Sequence, residues 1–164
     1  MENLSDYLKN KSVILVGNAQ AILDGSHGKF IDSHDVVVRI NGGFTHEKRW
    51  GQIGKRTDVW SSCGSRMRHL KGLKFFKDRV KYVLFPNVGL YRGLDFYPAQ
   101  PWKWPRGHQC ILNSRENYEK LIKEFNYDKP SCGVLTLDFL YNTMKARDIK
   151  LIGFDFFQSP TWYN

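Results

Sequence analysis

Two apolar, β-branched runs separated by little more than a helix constrain this chain more than any other feature. Residues 12 to 42 read SVILVGNAQAILDGSHGKFIDSHDVVVRING. Val13 to Val16 and Asp35 to Ile40 are short runs of the kind found in strands covered on both faces, and Val36, Val37 and Val38 favour β structure. Such strands alternating with helices predict an α/β domain, Rossmann-like, with a mostly parallel sheet flanked by helices. Each run ends on a polar pair, Gly17-Asn18 and Asn41-Gly42, and no G-x-G-x-x-G follows the first. The glycine cradle of a dinucleotide site is therefore missing.

The rest of the chain continues the alternation. Residues 56 to 62, 80 to 85 (stopped by Pro86) and 149 to 154 read as further strands. Met67, Leu70, Leu73 and Phe76 recur every third position and predict a helix over 65 to 78. Asn113 with Glu116 looks like a capping pair opening SRENYEKLIKEF, whose Tyr118, Leu121, Ile122 and Phe125 share a face. From Pro130-Ser131, PSCGVLTLDFLYNTMKA is apolar nearly all round and predicts a helix buried against the sheet. Residues 86 to 109, with four prolines and Trp102 and Trp104, read as one long irregular loop. At 164 residues the chain is expected to be a single domain, 1 to 164.

Net charge is +9, concentrated in RMRHLKGLKFFKDRVK, residues 66 to 81. That run reads either as a solvated helix face or as an attraction for anions such as nucleotide phosphate, acidic sugar, lipid headgroup or nucleic acid. Cys63, Cys110 and Cys132 form neither a C-x-x-C pair nor a zinc pattern and suit a reducing interior. No apolar run has the length of a signal core or a membrane span, so a cytoplasmic location is expected.

Ligands of open parallel sheets sit outside the carboxyl ends of the strands. Gly17-Asn18-Ala19, Arg39-Ile40-Asn41-Gly42 and the helix start Ser131-Cys132-Gly133 are expected to converge there. An asparagine amide offers a donor and an acceptor for ribose hydroxyls or a phosphate oxygen, and free N–H groups at a helix start favour an anion. Gly17, Gly42 and Gly133 would let a ligand approach the backbone. Taken singly, each of these also reads as an ordinary turn.

Together they resemble a known family. The stretch from 13 to 42 resembles the large sialylmotif of the eukaryotic-type sialyltransferases, through Val16-Gly17-Asn18, Ile31-Asp32-Ser33-His34-Asp35 and Val38-Arg39-Ile40-Asn41. GKRTDVW resembles the segment that follows it, and DKPSCGVLTLDFLYNTMKARDIKLIGFDFF, residues 128 to 157, resembles the small sialylmotif. The resemblance implies a transferase using a CMP-sugar donor and a glycan acceptor, on a metal-independent variant of a GT-A-like fold, with no cofactor. It assigns Asn18 and Asn41 to the phosphate and ribose of CMP, and Ser131 and Gly133 to cytidine. Gly17, Ala19 and Cys132 flank those positions, and Gly153 and Phe154 lie nearby. Sialic acid, or a related acidic sugar, would move by in-line displacement with inversion, a general base taking the acceptor proton. No D-x-D occurs in the chain, in keeping with a metal-free leaving group held by hydroxyl, amide and cationic donors.

The chain departs from the family in two places. The family's base is a histidine downstream of the small motif, yet no histidine follows His108. The base is expected beyond Asn164, in a chain incomplete at its C-terminal end, and His108 is the substitute within it. Trp162 and Tyr163, and Tyr91 and Arg92 of the central loop, are candidates for the phosphate or acceptor side. His34 is expected to orient the loop between the motif strands. Luminal members tie the two motifs with a disulfide, whereas this chain has Val13 in the strand and no cysteine after Cys132, as a bacterial or viral cytoplasmic enzyme would. Two other readings stay open: a basic nucleic-acid- or membrane-binding module, and a catalytically inactive CMP-binding homologue.

Overall fold

The protein is described here from a computed structural model covering residues 2–43, 47–62, 80–88, 108–126 and 130–162. Its strands are β1 Ser12–Val16, β2 Val36–Ile40, β3 Val59–Ser61, β4 Tyr82–Phe85, β5 Gln109–Leu112 and β6 Asp148–Ile152. They form one six-stranded sheet in the order β5-β4-β3-β2-β1-β6. Every neighbouring pair is parallel. This is the α/β architecture that the buried runs predict.

The valine-rich strands are covered on both sides because alternate residues feed different cores. Val13, Leu15, Val36 and Val38 pack with Leu4, Leu8, Phe139 and Leu140. Ile14, Val16 and Val37 turn the other way, onto Ile22, Ile31 and Ile53. The first face is closed by α1 Leu4–Leu8 and by the segment beginning at Cys132. The second is closed by α2 Gly28–Asp32 and α3 Trp50–Ile53. Each fully buried strand side chain contributes about 1.5–3 kcal/mol. Strands β2 to β5 step outward from one side of β1, while β6 returns to its other side. The direction of winding therefore reverses between β1 and β6, where open sheets of this kind leave a crevice.

Several boundaries differ from the sequence reading. Residue 109 is not loop: Gln109 opens β5, an edge strand paired with β4 from Tyr82↔Gln109 to Phe85↔Leu112. Half-exposed and only four residues long, β5 has neither alternation nor a β-branched run to announce it. The helix after it, α4 Arg115–Phe125, is capped by Ser114, whose side chain accepts from the Asn117 N–H at 3.0 Å. Asn113 is buried instead, its amide donating to the Pro86 carbonyl at 3.1 Å. Replacing Ser114 by alanine should cost about 1 kcal/mol, read as a lowered urea midpoint. Along α4 only Leu121 is buried, and Phe125, placed on the apolar face by its spacing, is 62% exposed.

The small-motif helix is α5 Cys132–Asp138, continued by one π-type turn, Phe139–Thr143. It is not buried all round, since Val134 and Tyr141 are exposed. Most of the basic run and the helix expected over 65 to 78 lie outside the described residues, as does the central loop from 89 to 107. No helix among the described residues is long and apolar enough to cross a membrane.

Candidate functional site

At the carboxyl ends of the strands, residues remote in sequence form a closed ring of contacts. The ring begins where β1 and β6 end. The Gly17 N–H donates to the Ile152 carbonyl at 2.7 Å, and the Ala19 N–H to the Gly153 carbonyl at 3.0 Å. A Cβ on Gly17 would lie 2.8 Å from the Gly153 carbonyl carbon and 3.0 Å from the Phe154 ring. Glycine at 17 is thus required by β6, not only by an approaching ligand. Gly153 has φ +73, a left-handed conformation that also favours glycine.

Asn18 carries the ring onward to β2. Its side-chain Nδ2 donates to the Ile40 carbonyl at 2.9 Å, and it is buried. Gly43 packs against its Oδ1 so closely that a methyl group there would collide. Asn41, left-handed at φ 48, donates its N–H to the Ser61 carbonyl at 2.8 Å. Its own carbonyl accepts from Trp60 Nε1 at 2.7 Å. From β3, the Ser61 hydroxyl meets Thr136 Oγ1 of α5 at 2.7 Å. At the start of α5, Ser131 Oγ accepts from the Val134 N–H at 3.3 Å. A Cβ on Gly133 would sit 2.6 Å from the Phe154 ring, which closes the ring back on β6.

After Phe154 the chain doubles back over β1. The Gln20 N–H donates to the Pro160 carbonyl at 3.0 Å, the Trp162 N–H to the Asn18 carbonyl at 3.1 Å, and Ala19 bridges Thr161 in antiparallel sense. Asp155 fixes the bend by accepting from the Ser159 N–H at 2.8 Å, and these Ser159 contacts hold its carboxyl below the usual carboxylate range. Trp162 is half-buried against the second core, with the Arg49 guanidinium 5.3 Å from its ring centre.

Comparison with known protein families matches residues 5–146 to glycosyltransferase family 29 (sialyltransferase). The chain belongs to that family. A search among curated proteins finds no match. Among solved structures, monomeric CstII is similar over 90% of this chain and 63% of its own, at 18% identity and a TM-score of 0.63. A mammalian sialyltransferase crystallised with Gal-β-1-3GalNAc-ortho-nitrophenol is similar over 88% of this chain and 55% of its own, at 18% identity and a TM-score of 0.54. The family 29 chain therefore spans 55% to 63% of the length of these two structures, which share its fold.

The family's motif residues fall into two groups at opposite edges of the sheet. Gly17, Asn18, Ala19, Asn41, Ser131, Cys132, Gly133, Gly153 and Phe154 gather at the carboxyl edge, as the sequence predicts. Asp32, His34, Asp35 and Arg56 lie at the amino edge and act as scaffold. Asp32 accepts from the Lys55 and Arg56 N–H groups at 2.9 and 3.0 Å. The Arg56 guanidinium donates to the Asp32, His34 and Asp35 carbonyls and pairs with Asp58 at 3.0 Å. His34, expected to orient this loop, has Nδ1 2.9 Å from the Phe30 carbonyl.

His108 stands apart from the crevice. It precedes β5 at the amino edge, with Nδ1 2.6 Å from the Val80 carbonyl. Tyr163, Tyr91 and Arg92 lie outside the described residues. The sequence reading missed Ser61, Thr136, Trp60 and Gly43, because a hydroxyl or indole that serves a neighbour's backbone leaves no spacing pattern. It named Arg39 only as part of the strand end Arg39-Ile40-Asn41-Gly42, without foreseeing that this cation inside a valine run is buried on Ile53, Arg56 and Thr57. Among the described residues no group of three His, Cys, Asp or Glu side chains is arranged to hold a metal.

Proposed function

We propose that this family 29 protein transfers sialic acid, or a related acidic sugar, from a CMP-sugar to a glycan hydroxyl with inversion. The observation that supports this most is the ring of amides, hydroxyls and glycines at the β1–β6 reversal. It is polar and lacks a pyrophosphate cradle. In this reading Asn18 and Asn41 hold the phosphate and ribose, and the Ser131–Gly133 helix start with Phe154 holds cytidine. The acceptor oxygen attacks the anomeric carbon as the bond to the CMP phosphate oxygen breaks, and CMP leaves with the electron pair. The acceptor proton goes to a base that none of the three described histidines is assigned to supply: the His27 ring lies against Gly25 at the start of α2, and His34 and His108 face backbone carbonyls. Metal independence, a role for Trp162 and Tyr163 on the phosphate or acceptor side, and a cytoplasmic setting belong to the same proposal. Binding of nucleic acid is not part of it.

CMP at one hundred times its Kd should stabilise the protein by about 2.7 kcal/mol, read as a rise in Tm. Asn41→Gly keeps the left-handed backbone and removes the amide, so it should fold normally and lose most of that rise. Asn18→Ala should lose it too, with a slightly lower Tm even without ligand, because the Ile40 carbonyl keeps the Gly43 N–H but loses the second of its two donors. A full CMP response in Asn41→Gly would sink the assignment. No response to CMP in the unaltered protein, alongside salt-sensitive DNA binding, would favour the nucleic-acid module instead.

A further inference from the structure

At the end of β1 and β6 opposite to the nucleotide crevice lies a second concavity. It is a cleft of about 570 Å³ at the amino edge, where Ser12 is in register with Asp148. Five strand residues, on the order of 16 Å, separate the two sites. Lys9, Lys11, Lys145 and Arg147 line the cleft, against only Asp6 and Asp148. Among the described residues none of these four cations is in an ion pair. Lys11 and Arg147 lie instead against the ring faces of Tyr7 and Tyr141, at 3.7 and 4.8 Å from the centroids. Ring contacts hold a cation in place without neutralising it.

Two segments meet here by left-handed residues, Asn10 after α1 at φ 60 and Lys145 after the π-type turn at φ 61. For lysine that conformation is costly. Glycine would end the turn more comfortably, and the lysine adds a fourth positive charge to the cleft. Basic side chains near helix ends offset the helix dipole, which accounts for Lys145 after the Cys132–Thr143 helix but not for Lys9 and Lys11, since α1 is only five residues long. Lys11 also faces the Asp35 carboxylate that accepts from Ser12, so the cleft is positive by excess of cations over carboxylates, and such a concave wall concentrates positive potential.

We infer that this cleft is a binding site for a phosphate-bearing anion, separate from the nucleotide crevice. The inference does not rest on the transferase reading. Its ligand is either a soluble phosphate compound or the headgroup of an acidic lipid, since both present the same chemistry.

The test titrates sodium pyrophosphate into the protein at constant ionic strength, following backbone amides by NMR. Saturable shifts are expected at Lys9, Asn10, Lys145 and Ala146. The double variant Lys9→Gln, Lys145→Gly should bind at least tenfold more weakly. Its glycine suits the left-handed position, so a folding defect would not mimic the loss. Co-sedimentation with phosphatidylserine-containing vesicles separates the two sources. Pelleting that pyrophosphate competes away, and that the double variant loses, identifies a lipid headgroup; saturable pyrophosphate shifts without pelleting identify a soluble phosphate. Absence of saturable shifts, shifts confined to Gly17 and Asn18, or undiminished binding by the double variant overturns the inference.

Discussion

Replacing Arg39 with methionine should destabilise the protein by roughly 3 kcal/mol, seen as a large fall in the urea midpoint with little change in slope. Arg39 is 1% exposed in the middle of the valine strand β2. Its Nη2 donates to the Ile53 carbonyl at 2.6 Å. Its Nε donates to the Arg56 carbonyl at 2.8 Å and to Thr57 Oγ1 at 3.1 Å. Burial pushes its pKa down to about 10, opposed by the carboxylates of Asp32 and Asp58, so the side chain is still charged at neutral pH.

Methionine matches much of its volume but donates nothing, leaving these acceptors without their donor at about 1–3 kcal/mol each. Relief of the charge's desolvation offsets part of that sum. Arg39→Lys should fall between the two, because one ammonium cannot span the same acceptors. A loss below about 1 kcal/mol for Arg39→Met would mean that the segment from Ile53 to Thr57 does not depend on the guanidinium.

Gly17→Ala should be the most damaging single methyl in the crevice, costing about 3 kcal/mol and removing the thermal response to CMP. The obstacle to its Cβ is backbone, at Gly153, and the two chains are pinned together by the hydrogen bonds from the Gly17 and Ala19 N–H groups. Neither chain can retreat without breaking that pairing. Gly133→Ala has as its nearest obstacle the Phe154 ring, a side chain that is 36% exposed rather than a pinned backbone. Its stability should drop by no more than about 1 kcal/mol, while affinity for CMP falls tenfold or more because the displaced ring no longer closes the crevice. Equal stability losses in the two variants, measured by urea unfolding, would contradict this division between backbone and side-chain packing.

The amino-acid order by itself determined the class of fold. Continuous runs such as VVVRI can only be strands covered on both faces, and their alternation with helices leaves a parallel sheet as the way to bury them. The candidate site residues Asn18 and Asn41 were legible for a related reason: they stand where apolar runs stop, and strand ends are where such sheets bind ligands, while Ser131 was legible as the start of a helix. Edge strand β5 was not legible, because a half-exposed strand needs no strict pattern. The helix cap moved from Asn113 to Ser114 because Asn113 is taken by a carbonyl 27 residues away.

Tertiary structure alone decided what each motif residue is for. It put Asn18 and Asn41 at one edge of the sheet and Asp32, His34 and Arg56 at the other, although all five belong to one continuous region. It also made Gly17 answer to Gly153, 136 positions later in the chain. Such contacts depend on the order in which strands lie side by side, with β6 returning beside β1, and local spacing carries no record of that order.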